Sequence, residues 1–183
     1  QYKVNDKAYN KLGFSIHNYF FAKAIDQVRP GGVIAFVTSR YTMDSKDSTA
    51  RKYMAERADL LGAIRLPDNA LKANAGTEVV SDIIFLQKRD RPADIEPAWV
   101  QLGQTEDGFS INQYFVSHPE MVLGNLELES TQYGHDLTVA PIEGANLADQ
   151  LAEAVQHIEG NYTAVEIAAP DVADAEAQRK TLP

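Results

Sequence analysis

Ser39, Arg40 and Tyr41, followed by Lys46, Arg51 and Lys52, form the stretch of this sequence whose side chains are best suited to chemistry. A tyrosine ring can stack on a nucleobase while neighbouring cations meet phosphates, so the pattern suits a DNA-facing edge. A plainer role fits the same residues: Tyr41 covers the end of a sheet and the cations sit in solvent. Further along, Lys72 adds a cation, and Asn74, Ala75, Gly76 and Thr77 could bring backbone close to a ligand, as a flexible turn also would.

Other constellations fail. His17, His118, His135 and His157 are scattered, with no His-x-x-x-His or Glu-x-x-His pair to hold a metal. No Gly-x-Gly occurs, and the Gly-Gly at 31 and 32 precedes an apolar run where a phosphate-binding loop would follow one. With no Cys there is no thiolate nucleophile and no disulfide framework, and a reducing cytoplasm fits.

The elements that must position these residues can be read from periodicity. Ile16, Tyr19, Phe20, Ala24, Ile25 and Val28 recur at three- and four-residue spacing, which predicts a helix over 15–28, stopped by Arg29, Pro30, Gly31 and Gly32. Val33 to Val37 is unbroken and apolar, as expected of a strand buried on both faces of a parallel sheet. A second helix is expected from Asp47 or Ser48 to Glu56, then a strand over Leu60 to Leu66.

A long loop from Asp68 to Glu78 leads to a strand over Val79 to Leu86. That return is too short, and too poor in helical apolar pattern, for a crossover, so the last strand should run antiparallel to its predecessor. In an open α/β sheet the loops after Val37 and Leu66 would then share one functional edge.

Beyond Pro92 the chain breaks into short amphipathic pieces, Trp99 to Leu102, Ile111 to Phe115 and Met121 to Leu128, and then a helix over 145–158 with Leu147, Leu151, Val155 and Ile158 on one face. The organisation expected is an α/β part over 1–91, a small extension over 92–144, a helical segment over 145–168 and a flexible acidic tail over 169–183.

The 183 residues, 44% apolar and 23% charged, describe an ordinary globular composition. No apolar run reaches the roughly 18 to 20 residues that cross a bilayer, so no membrane partner is expected. Gln1 to Asp6 is too polar for a signal peptide, and the opening at Gln1 reads as that of a fragment. The net charge of -9 hides a split: residues 1–91 carry 15 Lys and Arg against 10 Asp and Glu, whereas 92–183 carry 2 against 16. The first part could face a polyanion and the second would be repelled by it.

The succession of helix, Arg29-Pro30-Gly31-Gly32-Val33-Ile34-Ala35-Phe36-Val37-Thr38-Ser39, Leu61-Gly62-Ala63-Ile64-Arg65-Leu66-Pro67, Ala75-Gly76-Thr77 and Val80-Ser81-Asp82-Ile83-Ile84-Phe85-Leu86-Gln87-Lys88 resembles the second half of adenine-specific DNA methyltransferases, including type I restriction modification subunits. More narrowly it is similar to the methylase-like region of large helicase-methylase proteins of bacterial mobile elements. The resemblance covers Tyr2 to Arg91 and extends to Met121 to Ile158.

It implies a partial Rossmann-like methyltransferase sheet with a carboxyl-terminal antiparallel strand inserted between its two predecessors. It also implies DNA as a partner of the parent protein, a helicase domain in the same chain, and S-adenosylmethionine as the parent's methyl donor. Neither the family's catalytic tetrapeptide nor its Gly-rich cofactor loop is present, so the resemblance implies a fragment inactive by itself that binds no cofactor. Leu71 stands where the family often places a base-stacking aromatic. The competing reading is a non-catalytic scaffold or interaction module.

Overall fold

The computed structural model describes Asn5 and residues 7–72, 76 and 78–160. The expected positions Asn74, Ala75 and Thr77 and the acidic tail lie outside the described residues.

A short helix α1 (Lys7–Asn10) precedes α2 (Ile16–Gln27). Ser15 caps α2, its hydroxyl accepting from the Asn18 amide at 3.3 Å, and Phe21, Ala22 and Ile25 form the buried stripe. Val28 leaves the helix in extended geometry two residues before Pro30, and Gly31 takes φ 76°, turning the chain into strand β1 (Val33–Ser39).

Tyr41–Asp44 then forms a single helical turn, α3. Helix α4 (Thr49–Arg57) follows, with Asp47 accepting from the Thr49 amide and hydroxyl at 3.0 and 2.6 Å. It runs directly into β2 (Ala58–Arg65), and β3 is Ser81–Lys88.

The three strands form one sheet in the order β1-β3-β2, with β3 antiparallel to both neighbours. Val33 faces Gln87 and Ser39 faces Ser81 on one side, while Ala58 faces Lys88 and Arg65 faces Asp82 on the other. The expected insertion of the last strand is therefore present. A parallel Rossmann-like sheet is not: among the described residues the parallel pairing is one isolated bridge, Arg65 with Val122. The molecule is mixed α/β with antiparallel sheets.

The expectation that β1 is buried on both faces also fails. Its even residues pack under α2, with the Phe21 and Phe36 rings 4.7 Å apart, but Val33 and Val37 stay 56% and 63% exposed. An apolar run marks burial only when elements cover both faces, and β1 stands at the sheet edge.

The extension joins the same core. A 3-10 turn (Ala98–Val100), β4 (Leu102–Gln104) paired with β5 (Ser110–Asn112), α5 (Gln113–Ser117) and a second 3-10 turn (Pro119–Met121) contribute Trp99, Val100, Ile111, Phe115 and Met121 to the cluster that holds Ile25, Ile64 and Ile84. A hairpin of β6 (Asn125–Thr131) and β7 (Gly134–Ala140) follows, fastened to the β2 end where the Asp68 amide donates to the Val139 carbonyl at 2.9 Å. Helix α6 (Leu147–Val155) is capped by Asn146 and packs through Leu147 and Leu151, with Val155 turned out at 50% exposure instead of joining them.

Candidate functional site

Strands β1 and β2 both end at the edge where β3 begins, so the loops after Ser39 and Arg65 meet there. A cleft of about 610 Å³ with a mixed lining opens at this edge, bordered among others by His17, Asn18, Ser39, Tyr41, Ser45 and Ser81.

Below the cleft runs a ladder of alternating charge. Arg65 donates from Nε and Nη2 to the two Asp82 carboxylate oxygens, both at 2.8 Å, and from Nη1 and Nη2 to Asp44 at 2.7 and 3.0 Å. Arg40 bonds Asp44 at 3.3 Å and reaches across to Asp136 on the hairpin. The Asn112 amide donates to Asp44 at 2.9 Å, and its side chain donates to the Met43 and Trp99 carbonyls at 2.7 and 2.8 Å.

Arg65 and Asp82 are fully buried, and the Arg65 guanidinium also lies over the Phe115 ring at 4.4 Å. Burial works against the Arg65 charge, but Asp82 and Asp44 hold its proton above the ordinary arginine range. The ladder binds α3, the sheet, β5 and the hairpin into one unit.

The residues with sequence features suited to DNA occupy several environments. Arg51 is 1% exposed, and its guanidinium donates to the carbonyls of Val100, Thr42 and Ser45 at 2.8, 3.2 and 2.8 Å. It faces the interior and not an open edge. Arg40 is 9% exposed and engaged in the ladder. Lys52 lies 3.7 Å from Glu96, and Lys72 pairs with Glu78. Lys46 is exposed, Ser39 is exposed at the cleft and Leu71 is half-buried.

Tyr41, 55% exposed, lies beside the Arg40 guanidinium at 4.5 Å and donates its hydroxyl to Asp136 at 2.6 Å. Among the described residues no group of three His, Asp or Glu side chains could hold a metal.

The sequence reading missed Asp44, Arg65, Asp82, Asn112 and Asp136. A signal existed: Arg65 and Asp82 are charges of opposite sign inside otherwise apolar strands, where an unpaired charge is too costly to keep.

Neither a family model nor a solved structure matches the chain. Over 79 residues, 43% of the chain, it is 32% identical to defense against restriction protein B of Escherichia phage P1. The matched relative is an antirestriction protein by name. The match covers 3% of that protein, so the chain spans a small part of its relative.

This finding overturns the methyltransferase resemblance, the function drawn from it, and the methyltransferase and S-adenosylmethionine keywords. The motifs behind that resemblance are turn and strand signals. Pro30, Gly31 and Gly32 end a helix, and the runs at 33–37 and 83–86 build a sheet, which any fold with the same local order requires.

The Tyr41 contact has a measurable consequence. The hydrogen bond to Asp136, with burial second, raises the phenol above its ordinary 10.0, and the same bond holds the Asp136 carboxyl below 3.8, aided by Arg40. A raised phenol contributes stability that is present below pH 10 and lost as pH rises through the folded value. A lowered carboxyl contributes above its ordinary value and is lost as pH falls through the folded one. Asp136→Asn should therefore bring the Tyr41 titration down toward the ordinary tyrosine value, read as the ultraviolet difference between each protein and its Tyr41→Phe partner. An unchanged midpoint would show that the contact is absent in solution.

Proposed function

We propose that the chain is a non-catalytic interaction module of a larger defence-against-restriction protein, built to hold a surface rigid for other parts of the machinery. The carrying observation is the ladder Asp82, Arg65, Asp44, Arg40 and Asp136, whose ionisable groups are spent on joining the sheet to the hairpin. A general acid, base or nucleophile must be able to change its bonding during a reaction, whereas each of these groups is held by an opposite charge.

The similarity to the phage protein supports the biological setting, protection against restriction. The test is protection of DNA from restriction by the full-length protein carrying Ser81→Ala, His17→Ala or Tyr41→Phe. A module predicts protection within about twofold of wild type, because these cleft groups do no chemistry. A hundredfold loss from one of them, with the thermal midpoint unchanged, would replace the module by a catalytic site.

A second reading, a DNA contact along the same edge, is favoured by the exposed Tyr41 ring with exposed Lys46 nearby in the chain. It requires DNA binding that weakens with salt and with Tyr41→Ala and Lys46→Ala together. Binding that ignores both changes removes it.

A further inference from the structure

On the side built by the extension, Ile111 and Phe115, each 1% exposed, floor a groove of about 630 Å³. Half-buried Val116, Val122 and Leu126 form its walls, and exposed Glu106 and Asp107 stand on its rim. One wall is set by close backbone approach. A Cβ on Gly124 would come within 2.3 Å of the Ala140 carbonyl oxygen, so only glycine lets the chain enter the hairpin there. Leu128, two residues beyond Leu126 and thus on the same face of β6, is 62% exposed, so the apolar surface continues out of the groove along the strand.

The charged side chains that line this groove, Glu106 and Asp107, are both acidic, and the cation nearest its floor, Arg65 over Phe115, is buried and paired with Asp82 and Asp44. Residues 92–160 contain 12 Asp and Glu and no Lys or Arg. Where acidic side chains of this extension meet a cation, as Glu96 meets Lys52 and Asp136 meets Arg40, the cation comes from the first part of the chain. Among the described residues neither Glu106 nor Asp107 has an ion-pair partner. A groove with an apolar floor and an anionic rim complements a segment that offers apolar anchors flanked by cations, and it repels phosphate.

We propose that this groove binds a basic, apolar-anchored peptide segment of a partner protein, with Val116, Val122 and Leu126 receiving the anchors and Glu106 and Asp107 engaging flanking lysines or arginines. The proposal rests on the interaction-module reading and goes further by naming the surface and the chemistry of its partner. The two fail separately, since protection after cleft substitution tests the module and peptide binding tests the groove.

The probe is a fluorescein-labelled peptide of about twelve leucines and lysines, followed by anisotropy on the full chain. Saturable one-to-one binding is expected, weakened about tenfold or more by Val116→Lys and by the exposed pair Glu106→Lys with Asp107→Lys. The reversed rim should gain binding to a peptide carrying glutamate in place of lysine.

Because both rim residues are exposed, that double variant keeps the fold, and its circular dichroism verifies this. Equal binding of the lysine peptide by wild type and reversed rim overturns the proposal. So does equal binding of a peptide with serine in place of leucine, which needs charge but no groove. Sedimentation showing a dimer that the lysine peptide dissociates would assign the groove to a second copy instead.

Discussion

Arg65→Met should lower the unfolding free energy by about 3 to 5 kcal/mol, the usual result of removing one partner from a buried ion pair. Arg65 supplies both bonds to Asp82 and two to Asp44, and Asp82 is 0% exposed. Its removal strands a carboxylate with no water to solvate it. Burial already pushes the Asp82 carboxyl up, with Arg65 the main opposing charge, so the variant leaves burial opposed by the weaker influence of Arg40 alone.

A carboxyl raised in the folded state contributes stability below its unfolded value that is lost as pH rises through the folded one. The deficit of Arg65→Met relative to wild type should therefore shrink as pH falls from neutrality toward 5. The double change Arg65→Met with Asp82→Leu should recover part of the loss, because it removes the stranded charge as well as its partner. Urea unfolding at several pH values reads all three effects. A loss below about 1 kcal/mol at neutral pH would mean that the pair is open to water and that the ladder is not what joins the extension to the sheet.

Much of the backbone was legible in the sequence because its signals are local. The α2 stripe, the stop at Pro30 and Gly31, and the short return before β3 each follow from residues close together in the chain. The order β1-β3-β2 followed from loop length and the resemblance together, and it held although the function attached to that resemblance did not.

The β6–β7 hairpin was missed although its signal is present. Leu126 and Leu128 alternate with Glu127 and Glu129, and Gly134 at φ 117° closes the turn. A strand face that leaves Leu128 exposed has too little burial to stand out among polar residues.

The candidate site was less legible because its partners are distant in sequence. Arg40 finds Asp136 across 96 residues and Asn112 reaches Asp44 across 68. A cluster of cations read along the chain cannot reveal whether acids from elsewhere cover it. The charge split between the two parts was the available clue. Two contacts cross that split, Arg40 with Asp136 and Lys52 with Glu96, and each draws its cation from residues 1–91 and its acid from the extension.

Arg51 separates a surface cation from a structural one by experiment. Its guanidinium is 1% exposed and holds three carbonyls from three places, Thr42 in α3, Ser45 just after it and Val100 in the extension. Burial lowers its pKa while the charges of Asp44 and Asp47 oppose that, and it remains a cation at any pH where the protein folds. Arg51→Ala leaves three carbonyl oxygens without their donor and a void where the side chain lay. A loss of about 3 kcal/mol or more follows, since each stranded buried acceptor costs about 1 to 3 kcal/mol and nearby water offsets only part of it. Arg51→Lys should restore a minority of this, because one ammonium cannot span three acceptors fixed around a planar fork. A DNA contact at the same position makes the opposite prediction: stability unchanged, with DNA affinity and its salt slope reduced. Parallel urea unfolding and DNA titration of the two variants therefore assign Arg51, and an Arg51→Ala protein as stable as wild type would place its guanidinium on the surface after all.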